Sequence, residues 1–187
     1  MTNQIWIYYG KIECLEKEEN SKREKERKAG RKLLLKAVND WTGKKRSLDE
    51  LENCIRVGGH GKPYFEPELS LPFFNISHSG EYAVCAISSC KVGIDIQKVQ
   101  RYHPKLLNRV MTKNERYRIE HSQKKEDLFC RLWCEKESYL KWSGEGITRE
   151  LSTLERDAWQ RSFYKDGYWM CVTAQNPCEI KLRKILY

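Results

Sequence analysis

The sequence predicts an α+β fold: a pseudo-dimer of two similar α+β lobes, each with a long helix packed on a small antiparallel sheet. Three observations predict it. Short β-branched and aromatic segments are interspersed with two long stretches of helical period. Asn39-Asp-Trp41-Thr-Gly43, closing the first of those stretches, echoes Leu140-Lys-Trp142-Ser-Gly144 at the close of the second. Gly80-Glu-Tyr-Ala-Val-Cys85 likewise has a counterpart in Gly167-Tyr-Trp-Met-Cys171. Finally, 187 residues are enough for one domain or two small lobes that share an interface. At that size roughly 70% of the unfolded chain's surface is buried, with no need of disulfides or a structural metal. The predicted lobes are residues 1–90 and 91–187, with ligands at the seam.

The elements follow in order. Ile5 to Tyr9, rich in β-branched and aromatic residues, reads as a first strand. Glu16 to Arg31 is a dense run of mixed charge that continues into Lys32-Leu-Leu-Leu-Lys-Ala-Val38. Glu and Lys at helical spacing predict one long helix there, closing near Trp41-Thr-Gly43. Strands are expected at Cys54–Val57, Phe73–Ile76, Tyr82–Ser88 and Val92–Ile96, punctuated by glycine and serine turns. From Pro104 to Trp142 the period is helical, with Leu128, Phe129, Leu132, Tyr139 and Leu140 as an apolar stripe, and Gly144 and Gly146 end it. The tail is β: Ala158–Tyr164, a Lys165-Asp-Gly167 hairpin turn, Tyr168–Ala174 and Glu179–Leu186.

Composition narrows the function. Thirty-five Lys and Arg against 26 Asp and Glu leave a formal charge of +9, which points to an anionic partner: nucleic acid, acidic protein, phosphates or a membrane surface. Hydrophobic residues at 40% exclude a disordered chain. The longest strictly apolar run, Ala83 to Ile87, is too short to span a bilayer. No secretory signal is read at the N-terminus. The eight Cys form no C-x-x-C, have no zinc-ligand spacing with the four His, and mostly sit beside apolar neighbours. They are expected to be reduced and structural, which places the protein in the cytoplasm.

Three clusters carry chemistry. Gly61-Lys62-Pro63 precedes Phe74-Asn75-Ile76-Ser77-His78-Ser79-Gly80, a strand end whose hydroxyls, imidazole and backbone N–H groups suit phosphate oxygens at one turn. An ordinary polar hairpin turn would read the same. In Val92-Gly93-Ile94-Asp95-Ile96-Gln97, Asp95 stands between two isoleucines, where a carboxylate is costly unless paired or bound to metal. Alternation puts Asp95 and Gln97 on one face. Along the second long helix Trp133, Glu137 and Lys141 stack at i, i+4 and i+8. A carboxylate one turn from an ammonium suits a bridged metal and phosphate, or a plain surface ion pair.

In this order, G-K-P, F-N-I-S-H-S-G, V-G-I-D-I and W-C-E-K-E-S-Y-L-K followed by G-x-G resemble the 4′-phosphopantetheinyl transferases of the two-lobed surfactin-synthetase type. The resemblance implies transfer of the 4′-phosphopantetheine group from coenzyme A to a serine of an apo acyl or peptidyl carrier protein, with release of adenosine 3′,5′-bisphosphate. It implies Mg²⁺ as cofactor, held by Asp95 and Glu137, with Glu137 or a metal-bound water as base. Gln97 occupies the place where many relatives carry a third acidic ligand; its amide oxygen or a water it holds would substitute. Lys141 matches the lysine on the coenzyme A phosphates, Lys62 and Pro63 the segment flanking the adenine and 3′-phosphate, and Ser77 and His78 the phosphate-contacting pair. Thr112-Lys-Asn-Glu115 matches a segment whose acidic residue is a second candidate proton acceptor, ranked below Glu137. The coenzyme-contacting cations of the N-terminal lobe are not aligned uniquely: Lys28, Arg31 and Lys36 are the candidates. The strip 98–114, basic and apolar, would suit an acidic carrier helix. With both lobes in one chain, a monomer is expected.

Other classes stay in view. The charge and the aromatics suit a basic nucleic-acid-binding module, although the strongest charge run is mixed in sign and no nucleic-acid motif is found. A Mg²⁺-dependent nuclease would want more clustered carboxylates. A catalytically impaired relative that only binds carrier protein is suggested by Gln97 alone.

Overall fold

The computed structural model describes residues 3–16, 21–59, 61–146 and 151–186. His60 and residues 17–20 of the predicted first helix lie outside them. Strand β1 (Gln4–Lys11) opens the chain, followed by a single turn, α1 (Ile12–Leu15), and the long helix α2 (Lys22–Thr42). That helix starts later than the charge run predicts, because Ser21 and Glu24 form a capping box that satisfies its first donors. Gly43 closes it in the left-handed conformation, φ 67°, where a glycine has no Cβ to clash. Another capping box, Ser47 with Glu50, nucleates α3 (Leu48–Asn53), a helix not among the expected elements although its S-L-D-E pattern is present in the sequence. A small hairpin follows, β2 (Ile55–Val57) with β3 (Pro63–Phe65).

Strands β4 (Phe73–Ser79), β5 (Tyr82–Ser88) and β6 (Val92–Lys98) come next. The predicted helical stretch then breaks into α4 (Pro104–Val110), α5 (Lys113–Glu120) and α6 (Lys125–Ser143). Pro104 opens the stretch at the first position of α4, and the breaks fall at Met111–Thr112, where Thr112 starts α5 through a further capping box with Glu115, and at His121–Lys124 before α6. The tail supplies β7 (Trp159–Lys165), β8 (Tyr168–Ala174) and β9 (Glu179–Lys184).

Two principal sheets form, ordered β4-β5-β1-β9 and β6-β8-β7. The second is antiparallel throughout. The first is mixed rather than antiparallel, because β9 leaves the C-terminal hairpin and runs parallel to β1. The free edge of β1 is what it satisfies, through the ladder and through Arg183, which donates to Tyr8 Oη and Asp40 Oδ2, both at 3.2 Å.

Period-two alternation then builds layers. Ile5 and Ile7 of β1 and Val84 of β5 meet Ile94, Met170 and Val172 in a core between the sheets. Tyr8, Ala83, Cys85 and Ile87, on the opposite face, pack under Leu33, Leu34 and Val38 of α2. Helix α6 covers the outer face of the second sheet, and its apolar stripe, Phe129, Leu132 and Leu140, gathers α4 and α5 into a third cluster. The order is therefore α2, sheet, sheet, α6.

Helix α6 lies on β6 at Gly93. A Cβ there would come 2.1 Å from the Ser138 carbonyl oxygen and 2.5 Å from the Trp142 nitrogen, both backbone atoms that cannot swing away. Gly93→Ala is expected to force the helix off the strand and lower stability by about 3 kcal/mol, seen as a lower urea midpoint at unchanged slope. An unshifted midpoint would mean that the helix stands farther from the strand.

Candidate active site

The two sheets are stitched at their adjoining edges by side chains rather than by a ladder. Asn75, Ser77 and Ser79, alternate residues of β4, all reach β6. Asn75 Oδ1 accepts from the Ile94 nitrogen at 2.9 Å, and Ser79 Oγ accepts from the Lys98 nitrogen at 3.0 Å. Between them Ser77 Oγ donates to Asp95 Oδ1 at 2.7 Å. β6 is an edge strand, so these bonds satisfy donors that no strand meets.

Asp95 is 2% exposed, and the structure surrounds its charge with donors. Besides Ser77, Lys141 Nζ donates to Oδ1 at 2.6 Å and Gln97 Nε2 to Oδ2 at 2.9 Å. Lys141 Nζ also reaches Ser77 Oγ at 2.8 Å, closing a ring of three side chains from β4, β6 and α6. Glu137 lies one turn before Lys141 and is 9% exposed, yet its Oε1 has no hydrogen-bond partner among the described residues. Burial, and then the Asp95 carboxylate, raise its carboxyl above the usual range, while Lys141 opposes them. Lys62, from the turn before β3, donates to the Lys141 carbonyl. Burial, and then the neighbouring Lys91 and Lys141 charges, bring its ammonium down to about 8.

A cleft of ≈ 490 Å³ opens on this group, lined by Lys62, Pro63, Asn75, Glu137, Lys141 and Gly144 among others. A second cavity of ≈ 540 Å³ shares Lys62, Pro63 and Gly144 and is walled by Phe65, Pro72, Phe73 and Phe74, with Lys91 at its rim. Two ammonium groups and two buried carboxylates beside an apolar slot suit a ligand with phosphates and a flat or aliphatic part. The donor set also fits a hard cation. An oxygen of Glu137 is buried without a partner, and Asp95 is beside it. Among the described residues no three His, Cys, Asp or Glu side chains gather into a metal cage, so such an ion would complete its shell from ligand oxygens and water.

The motif residues divide by strand face. Ser77 joins the ring, but His78, next in sequence, projects to the opposite face of β4, where its Nδ1 lies 3.5 Å from Glu26 Oε2 on α2. The expected cradle of hydroxyls and imidazole at one turn is therefore not formed, because β4 continues through Ser79 and alternation separates neighbours. The three candidate cations of α2 also spread out. Arg31 pairs through Nε with Glu52 of α3 at 3.3 Å and leaves a buried Nη1 without a partner among the described residues. Lys36 pairs with Asp40 at 2.5 Å, on the carboxylate that also holds Arg183. Lys28 is half-buried on the same helix. Lys62, Pro63, Glu137 and Lys141 line the cleft, whereas these three are not among its lining. Glu115 is occupied elsewhere, by the α5 cap and by Lys136.

Lys91 and the linking role of Asn75 escaped the motif reading. Lys91 Nζ donates to the Ser143 carbonyl at 2.9 Å and lies 5.6 Å from the Trp142 ring centroid. Its position immediately before V-G-I-D-I was the available signal.

The family model of the 4′-phosphopantetheinyl transferase superfamily matches residues 91–173. The chain is 30% identical over 152 residues to the 4′-phosphopantetheinyl transferase Sfp of Bacillus subtilis (strain 168), a match covering 79% of this chain and 65% of that one. It is 35% identical over 149 residues to the L-aminoadipate-semialdehyde dehydrogenase-phosphopantetheinyl transferase of Homo sapiens, covering 69% and 45%. A crystal structure of Thermotoga maritima holo-[acyl-carrier-protein] synthase superposes with a TM-score of 0.38 at 17% identity, over 44% of this chain and 61% of that one. The chain spans about half to two thirds of the length of the curated relatives it matches. The segment that holds Asp95, Glu137 and Lys141 is thus the part of the chain that matches the 4′-phosphopantetheinyl transferase superfamily, and the relatives extend that similarity beyond it.

Proposed function

We propose that the protein transfers the 4′-phosphopantetheine group of coenzyme A to a serine of an apo acyl or peptidyl carrier protein, releasing adenosine 3′,5′-bisphosphate. The observation that carries this reading is the buried Ser77–Asp95–Lys141 ring with the unpartnered Glu137 oxygen beside it, opening on a lysine-edged cleft. Lys62 and Lys141 both line the cleft, and their ammonium groups would meet the pyrophosphate. Asp95 and Glu137 would hold Mg²⁺, with the Gln97 amide oxygen as a further donor. When bound, the ion neutralises charge on the phosphoryl oxygens.

Glu137 would take the proton of the carrier serine. Its carboxylate is made more basic by burial and by Asp95. The new bond joins the serine oxygen to the phosphorus on the pantetheine side. The bond broken joins that phosphorus to the bridging oxygen, which leaves with the adenosine bisphosphate. Asp95 holds Lys141 against Ser77, so the cation reaches the cleft already oriented. We read the layering as a pseudo-dimer of lobes divided near residue 90, with the site inside one chain, so that a monomer suffices. The strip 98–114, with Leu106 exposed on α4, is the surface proposed for the carrier. The eight free cysteines suit a reducing cytoplasm.

Incubation with coenzyme A, Mg²⁺ and several apo carriers is expected to add the phosphopantetheine mass to a carrier serine. No increment on any carrier, with coenzyme A recovered intact, would overturn the reading. Glu137→Gln is expected to reduce transfer about 10³-fold. Near-normal turnover in that variant would remove Glu137 from the chemistry.

Gln97→Glu is expected to be less stable than wild type without metal, since a third carboxylate then faces Asp95, and to gain more in Tm on adding Mg²⁺. Equal gains would place Gln97 away from the ion.

Lys62 supplies a pH signature. Because its ammonium dissociates near about 8, coenzyme A affinity is expected to fall as pH rises through that value. In the unfolded chain the same lysine keeps its proton to the ordinary lysine range. Between the two values the unfolded state therefore binds more protons, and folding stability rises with pH. Calorimetric titrations of Lys62→Met should show weaker binding at neutral pH and a flatter pH dependence.

A further inference from the structure

On the side of α6 away from the cleft, the structure buries a second set of charges. Glu115 is 8% exposed and Lys136 is 0% exposed. Lys136 Nζ lies 2.9 Å from Glu115 Oε2 and donates to the Leu151 carbonyl at 2.7 Å. Glu115 Oε2 also accepts from the Thr112 nitrogen at 2.9 Å, as part of the α5 capping box. Arg156 Nη2 stands 3.6 Å from both Glu115 Oε1 and Glu135 Oε2. Ser162 Oγ of β7 donates to the other oxygen of Glu135 at 3.0 Å. One ammonium on α6 is thus tied to the start of α5 and to the turn at 151–153, and the next carboxylate ties α6 to β7.

We propose that Glu115 and Lys136 are a positioning pair that fixes the rotation and register of α6, and that Glu115 serves as the counter-ion of Lys136 rather than as a proton acceptor. This rests on the transferase reading above. Lys136 directly precedes Glu137, so on a helix the two side chains point about 100° apart. Holding Lys136 against α5 and the Leu151 carbonyl therefore aims Glu137 and Lys141 into the cleft. Leu151 matters because the chain that passes Gly144 and Gly146 at the cleft's lip returns there to the α6 core. Both oxygens of Glu115 face cations or the α5 cap, and Glu115 is not part of the cleft lining. A buried pair of this kind seldom stabilises more than apolar side chains of the same volume, which leaves placement as what it supplies.

Three variants test this: Glu115→Gln, Lys136→Met, and Glu115→Leu combined with Lys136→Met. Transfer kinetics across pH, coenzyme A binding by calorimetry and thermal unfolding are read for each. Glu115→Gln is expected to lower kcat by less than about tenfold and to keep the wild-type pH–rate profile, since no proton acceptor is lost. Lys136→Met strands a buried carboxylate, so it should melt lower and turn over slowly. The double variant should recover the wild-type Tm while kcat stays at least about tenfold down and the KM for coenzyme A changes little. Two results would overturn the proposal. One is a ~10²–10⁴-fold loss in Glu115→Gln with normal Tm, normal coenzyme A binding and a missing limb of the pH profile, which would make Glu115 the base. The other is a double variant that regains both Tm and kcat, which would reduce the pair to packing. A wild-type protein that modifies none of the carriers fails the transferase reading itself, before any variant is compared, and this role falls with it.

Discussion

Asp95 brings a carboxylate to a position with almost no solvent, and much of the molecule is arranged to keep it there. A lone buried charge would be expensive, so β4 contributes Ser77, α6 contributes Lys141 and β6 itself contributes Gln97. Those bonds do more than neutralise. They fasten the edge of one sheet to the edge of the other, where no backbone ladder runs, with Asn75 and Ser79 completing the stitch. The cleft lies along this seam, so the contact that joins the sheets and the contact that organises the site are the same one.

That arrangement depends in turn on how closely α6 approaches. Gly93 lets the backbone of the helix lie against β6, and Ser138 Oγ meets Thr173 Oγ1 of β8 at 2.8 Å. With its inner face fixed by those contacts and its outer face by Lys136, the helix has little freedom to rotate. Glu137 and Lys141, one turn apart between the two faces, inherit their aim from both. Among the described residues Glu137 Oε1 finds no hydrogen-bond partner there, although it is buried. Such local dissatisfaction is typical of sites that bind something else.

The second anchoring device is remote from the cleft. β9 crosses from the C-terminal hairpin to lie beside β1, and Arg183 locks it through Tyr8 and Asp40 while standing 4.7 Å from the Trp6 ring centroid. Lys36, a basic residue on a basic helix, belongs to this lock. Its charge neighbours, not its helix, decide its role. The same holds for Glu115: its sequence context matches a candidate base, while its surroundings are a cap, an ammonium and a guanidinium.

Local pattern is dictated by short-range physics, so much was legible before any coordinates. Apolar and aromatic runs between turn signals located β5 and β8, the Gly43 and Gly144 stops located the ends of the long helices, and motif order pointed to Asp95, Glu137, Lys141 and Lys62. Capping boxes at Ser21, Ser47 and Thr112 were present in the text as well, and they set helix starts that charge patterning alone misplaces. What the sequence by itself determined was thus the element types, the residues with reactive side chains and the family resemblance. Only the tertiary structure decided that Ser77 meets Asp95 and Lys141, that β9 pairs in parallel with β1, and that Lys36 and Glu115 face partners away from the cleft. Those outcomes depend on which strand edge and which charge come to lie alongside in space, and residues 4 and 179, or 115 and 136, acquire that proximity only when the layers close.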